Sequence, residues 1–242
     1  MEIPQSQVQI PRGQRYRRTS MKKKKFSENE LVTRKYNAEF RAFEDERGSN
    51  IEGTPIVFNQ ETRMVDWYGD EYLEKIDPHA LDAADLSDVR LFVNHDVNKI
   101  TLARTKNGRG TMSFNIDETG MHIKAKLDTE NNSEARALHS AVSRGDMDGM
   151  SFMFRIKSQE WLNLDSDLPT RVIKEISIVH EVSVVNFPAY PQTSVDARSN
   201  SEEPEYSPLV EARKALSEET ERRNAEQLEI EKLKIMYLHG GF

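Results

Sequence analysis

The sequence has 242 residues, of which 36% are hydrophobic and 31% charged, with a formal net charge of −7 and no cysteine. Such a polar average argues against one uniformly packed domain, and the lack of thiols excludes disulfides, thiolate catalysis and thiolate metal sites. No apolar run approaches the roughly 18 residues of a membrane-spanning helix, and the basic start is not followed by an apolar signal core, so a soluble cytosolic or intracellular-particle protein is expected.

The charge is unevenly distributed. Residues 1–25 carry eight Lys or Arg against one Glu, a balance of +7, and residues 196–242 carry seven basic against eleven acidic residues, a balance of −4. Residues 26–195 therefore hold −10, which argues against a general nucleic-acid binder. The first 37 residues lack periodicity and contain Arg15-Tyr16-Arg17-Arg18 and Lys22-Lys23-Lys24-Lys25. They read as a disordered basic arm: either a solvated leader, or an electrostatic attachment to nucleic acid or to an acidic partner. Met21 is an alternative start of translation.

Order is expected from Ala38, with short strands at Ala38–Phe43 and Thr54–Asn59. Asp70–Ile76 reads as a short helix stopped by Asp77-Pro78, since the residue before proline disfavours helix. In Val89–Asp96, the residues Val89, Leu91, Val93 and His95 share one strand face, placing His95 at the end of an inward row. Met112, Phe114 and Ile116 alternate, as do Met121, Ile123, Ala125 and Leu127, and Asp117–Gly120 between them predicts a β-hairpin. Ser133–Arg144 has helical spacing at Ala135, Leu138, Ala141 and Val142, with Ser133 as N-cap and Gly145 as stop.

The chain then enters Gly149-Met150-Ser151-Phe152-Met153-Phe154. Met150, Phe152, Phe154 and Ile156 occupy one face, so Ser151 is expected on the other, presented and not buried. Further strands are expected at Trp161–Leu164, Thr170–Ser177 and Glu181–Phe187, the last closed by Pro188-Ala189-Tyr190-Pro191. Glu202-Glu203-Pro204-Glu205 reads as a linker, and residues 209–238 as a marginal helix without a sustained heptad. Many short strands with few helices predict a mainly β fold with helices.

A hydroxyl becomes a useful nucleophile when a base takes its proton and a third group orients that base. Ser151, His95 and Glu181 are one candidate for each role, on three separate segments. Spacing alone does not join them. The six histidines His79, His95, His122, His139, His180 and His239 contain no pair at the short spacing of a zinc motif, so no metal or cofactor is expected.

Asn94-His95-Asp96, Gly149-Met150-Ser151-Phe152-Met153-Phe154 and Glu181-Val182-Ser183-Val184-Val185-Asn186-Phe187-Pro188-Ala189-Tyr190-Pro191, in this order and at these intervals, resemble the signature blocks of the prohead serine proteases of tailed bacteriophages. The resemblance covers roughly residues 38–195. It implies a compact β-barrel of the herpesvirus assembly-protease type with surrounding helices, and a division into a basic arm (1–37), a protease domain (38–195) and a polar helical tail (196–242). It further implies that Ser151 is the nucleophile, His95 the general base and Glu181 the orienting acid, with His180 and Asp96 as rivals for the third place. Met153 stands where the family often carries glycine. Arg155 or nearby backbone N–H groups are candidate oxyanion donors.

The function implied is cleavage of scaffold protein or major-capsid-protein extensions, and of the chain itself, inside the immature prohead in the host cytoplasm, with homo-oligomerisation possible and no membrane involved. A non-catalytic assembly module that keeps the protease-like barrel is the alternative.

Overall fold

The computed structural model describes residues 30–37, 40–66, 68–186 and 207–238. The Lys- and Arg-rich runs, the proline-bounded segment at 188–191, the linker at 202–205 and His239 lie outside the described residues. In chain order the elements are β1 (Glu30–Asn37), β2 (Phe40–Asp45), β3 (Gly48–Val57), β4 (Thr62–Val65), β5 (Glu71–Ile76), β6 (Arg90–Val93), β7 (Ala103–Arg104), β8 (Met112–Ile116), β9 (Gly120–Lys126), α1 (Ser133–Ser143), β10 (Gly149–Leu162), β11 (Thr170–Val185) and α2 (Pro208–Leu238). The mainly β expectation therefore holds, with two helices among the described residues.

The strands form two sheets. One has seven strands in the order β1-β10-β11-β5-β4, with β6 on β11 and β7 on β6; the other runs β2-β3-β9-β8. No closed barrel is found among the described residues. Both sheets face a shared core in which Ile51, Ile56, Met121, Ile123 and Ala125 of the smaller sheet join Phe152, Phe154, Ile176 and Val182 of the larger. Helix α1 adds Ala135, Leu138 and Val142 to it.

β10 and β11 are the frame on which the site is built. They pair antiparallel from Gly149↔Val185 to Leu162↔Thr170. The sixteen residues of β11 are rich in Val and Ile, which suit a pleated, doubly covered strand. The two strands expected at Thr170–Ser177 and Glu181–Phe187 are thus one, because Ile178, Val179 and His180 continue the extended run between them. β11 also serves two partners along its other edge: residues 170–173 pair parallel with β5, and residues 181–184 pair parallel with β6.

Several expectations are corrected. Order starts before Ala38, because a strand already covers Glu30–Asn37: its backbone completes the outer edge of β10, and its Val32 and Arg34 alternate inward. Asp70–Ile76 contains a strand, not a helix. Tyr72, Glu74 and Ile76 are buried in alternation, and pairing with β4 and β11 outweighs local helix preference. The cap of α1 is Asn132 and not Ser133: Asn132 Oδ1 accepts from Glu134 N at 2.9 Å and Ala135 N at 3.3 Å. Gly145 does end the helix, at φ 75°.

The expected hairpin is formed by β8 and β9, with Phe114 opposite Ile123 and Ile116 opposite Met121. Helix α2 is long, and its beginning is anchored to the body. Leu209 and Ala212 are buried, and Arg213 donates to Leu164 O at 2.9 Å and Ser166 O at 2.8 Å in the β10–β11 connection.

Candidate active site

β11 separates the strands that carry the outer two candidates. Ser183 on β11 lies opposite Ser151 of β10 on one side and Phe92 of β6 on the other. The chain leaves β6 at Val93 and immediately turns through Asn94 at φ 51° and His95 at φ 60°. Two successive left-handed residues break the strand row, so His95 does not continue the inward face of Leu91 as expected. Non-glycine residues in this region are uncommon, although Asn and His are enriched there. The turn is pinned to β11: Asn94 N donates to Val184 O at 2.9 Å, and Asn94 Oδ1 accepts from Asn186 N at 3.1 Å.

This turn aims the imidazole back across β11. His95 Nε2 lies 2.7 Å from Ser151 Oγ, and His95 Nδ1 lies 2.5 Å from Glu181 Oε1. With Glu181 as carboxylate, Nδ1 carries a proton and donates it to Oε1. The neutral ring then presents Nε2 as an acceptor toward Ser151. The arrangement matches the geometry required for serine activation, nucleophile to base and base to orienting acid.

Ser183 completes the carboxylate. Its hydroxyl donates to Glu181 Oε2 at 2.6 Å and accepts from His95 N at 3.1 Å, so one side chain fixes both the Glu181 carboxylate and the His95 backbone. Sequence reasoning assigned it no role. The signal was present, because residues 181 and 183 share a strand face at period two.

Ser151 is fully buried, contrary to the expectation of a presented side chain. The strand β1 runs alongside it, with Lys35 opposite Ser151 and Arg34 opposite Phe152. Ser151 Oγ also donates to Arg34 O at 2.8 Å. A hydroxyl has one proton, so Arg34 O and His95 Nε2 compete for it.

The rivals for the third place lie elsewhere. Both ring nitrogens of His95 face other residues, Nδ1 toward Glu181 and Nε2 toward Ser151. Asp96 caps its own turn, with Oδ1 accepting from Asn98 N at 3.1 Å. The His180 Nε2 is buried without a hydrogen-bond partner, and burial followed by the nearby Arg155 charge pushes its pKa down. Arg155 is four positions beyond Ser151 on β10, roughly 13 Å along a strand, and its charge acts on His180. Of the other described histidines, His79 meets Asp82, His122 meets Thr54, Thr119 and Asp117, and His139 meets Phe43 O.

A family model described as caudovirus prohead serine protease matches residues 36–206. The chain is 30% identical over 148 residues to the prohead protease of Enterobacteria phage HK97, a match covering 61% of this chain and 59% of that relative. The matched stretch thus spans less than two thirds of the relative's length. No solved structure matches.

Proposed function

The chain belongs to the caudovirus prohead serine protease family, and from that premise we propose that it is a serine endopeptidase that matures phage proheads. The single observation that carries the reading is the hydrogen-bonded series Ser151, His95, Glu181 on three different segments. Ser151 attacks a peptide carbonyl while His95 takes its proton. His95 then protonates the leaving amine, and Glu181 holds the ring in the required tautomer and supports its charged form. Water releases the acyl-enzyme by the same exchange. The mechanism requires no metal or cofactor.

Scaffold protein or extensions of the major capsid protein, and the chain itself, are the proposed substrates, met inside the immature shell in the host cytoplasm. The proposed protease unit follows the resemblance over residues 38–195 and takes in β1 as well, with the basic arm before it and the tail of 196–242 after it. A curled, herpesvirus-type sheet is part of the proposal. The buried pairing of Arg34 on β1 with Glu74 on β5, three strand spacings apart in the sheet order, supports it.

The test is co-expression of the chain with the capsid and scaffold proteins of its own phage, read by mass spectrometry. Discrete trimmed products are expected with the wild type and none with Ser151→Ala, since loss of the nucleophile costs on the order of 10⁶-fold. Identical processing by both chains would sink the proposal, and intact proteins in both would favour the non-catalytic assembly module.

A further inference from the structure

We propose that β1 occupies the substrate strand site in cis, with Arg34 in the place of the residue to be acylated, and that buried Glu74 selects an arginine side chain there. The proposal rests on the protease reading of Ser151, His95 and Glu181.

A peptide substrate of a strand-borne nucleophile must lie extended along it, with one carbonyl beside the attacking oxygen. β1 meets both requirements. It runs antiparallel to β10 from Glu30↔Ile156 to Asn37↔Gly149, and Arg34 O is the carbonyl that Ser151 Oγ touches, at 2.8 Å. Among the described residues β1 stands at the end of the sheet order with β10 as its strand partner, so another extended peptide can take its place without breaking the pairing of the remaining strands.

The side chain supplies the specificity argument. Arg34 is 5% exposed and Glu74 is 1% exposed. Arg34 Nε and Nη2 both donate to the Glu74 carboxylate, the second at 2.8 Å, while Nη1 donates to Thr33 O at 2.9 Å. Two donors on one carboxylate match the planar fork of a guanidinium, which an ammonium does not reproduce. Arg171 also reaches Glu74, at 3.4 Å, and is itself held by Gln159 at 2.6 Å. Glu74 thus keeps a cationic partner when Arg34 withdraws, so the slot survives exchange of its occupant and avoids an isolated buried charge.

With an arginine peptide in this position, Ser151 Oγ bonds to the arginine carbonyl carbon and the following C–N bond breaks. The departing amine takes the proton that His95 received from Ser151, and water then hydrolyses the ester through His95. In the resting chain the same position is filled by β1, and the Ser151 hydroxyl is turned toward a carbonyl oxygen. External substrates enter by displacing this strand.

The test uses the full chain and three probes that react with an activated serine: a small fluorophosphonate, and two peptide diphenyl phosphonates that differ only in an arginine or leucine side chain beside the phosphorus. Labelling of Ser151 is followed by intact mass in wild type, Arg34→Ala, Arg34→Lys and Glu74→Gln, each checked for folding by circular dichroism. The arginine probe is expected to label at least about tenfold faster than the leucine probe, with Glu74→Gln drawing that ratio toward one. Both Arg34 variants are expected to raise fluorophosphonate labelling several-fold by freeing β1. A ratio near one in chains that the fluorophosphonate labels overturns the assignment of Glu74 and leaves the protease reading standing; the wild-type ratio decides this even where Glu74→Gln fails to fold. Folded Arg34 variants labelled at the wild-type rate overturn the occupant role of β1. Absence of fluorophosphonate labelling in wild type and both Arg34 variants overturns the protease reading, and the proposal with it.

Discussion

Ser151 Oγ lies 2.7 Å from His95 Nε2 although 56 residues separate them. The contact exists because β11 pairs with both neighbouring strands, and because two left-handed residues swing the imidazole back over β11. The hydrogen-bonded series Ser151, His95, Glu181 thus depends on one long strand and one short turn. Changes to either should alter chemistry before they alter stability.

Replacing the acid should separate it from its rival. Glu181→Gln removes the carboxylate that sets the His95 tautomer and is expected to lower kcat by about 10⁴-fold. His180→Ala is expected to leave kcat within about threefold, since the His180 ring makes no hydrogen bond to Ser151, His95 or Glu181. Peptide cleavage by the two purified variants checks this, and a collapse of activity in His180→Ala with normal Glu181→Gln would reassign the third place.

Ser183→Ala should act through two residues at once. It leaves Glu181 Oε2 and the His95 backbone N–H without their partner in a buried site. Each unmade buried bond costs about 1–3 kcal/mol, and if that loss falls on positioning, kcat drops roughly 10- to 100-fold with KM little changed. Steady-state kinetics read the split between kcat and KM.

Acid should destabilise the chain through Glu74. Burial pushes its carboxyl up, but the Arg34 and Arg171 guanidiniums outweigh that and hold it below the usual carboxylate range. A depressed folded pKa stabilises the native state above the unfolded value of about 4.3, and this contribution is lost as pH falls toward the folded pKa. Asp77, lowered chiefly by its hydrogen bond to Lys174, and Asp88, lowered chiefly by that to Arg104, add to the same trend. Thermal unfolding between pH 7 and pH 3 should show Tm falling below about pH 5. Removing Glu74 should flatten that slope.

The core behind the nucleophile is a stability matter. Phe152 is fully buried, with its ring stacked on Phe154 at 4.5 Å between centroids. Phe152→Ala is expected to cost about 3–5 kcal/mol in urea unfolding. The flanking serine would then be disordered with its strand, so activity should fall in parallel.

Much of the architecture is local and therefore legible. The β8–β9 hairpin follows from alternating residues around Asp117–Gly120, and α1 from spaced apolar residues before Gly145. Misreadings occurred where long-range pairing overrode local pattern. The β5 segment contains helix formers such as Leu73, Glu74 and Lys75 but is recruited by β4 and β11. β1 falls in a polar stretch whose strand character depends on β10 being available to pair with it. Ser151 belongs to the same class. Its alternation placed it correctly on the face opposite the apolar row, but its burial and its contacts with His95 and the Arg34 carbonyl arise only in the assembled sheet.

By itself, the sequence determined the inward rows of β9 and β10, the glycine that stops α1 and the identity of the family, because these reside in periodicity, turn chemistry and short contiguous blocks. Only the tertiary structure decided which groups meet. Two adjacent left-handed residues bring His95 to Ser151 and Glu181, β11 supplies Ser183 to His95 and Glu181, and β1 delivers the Arg34 carbonyl to the Ser151 hydroxyl. Hydrogen bonds between residues tens of positions apart depend on strand order and register, which no local spacing encodes.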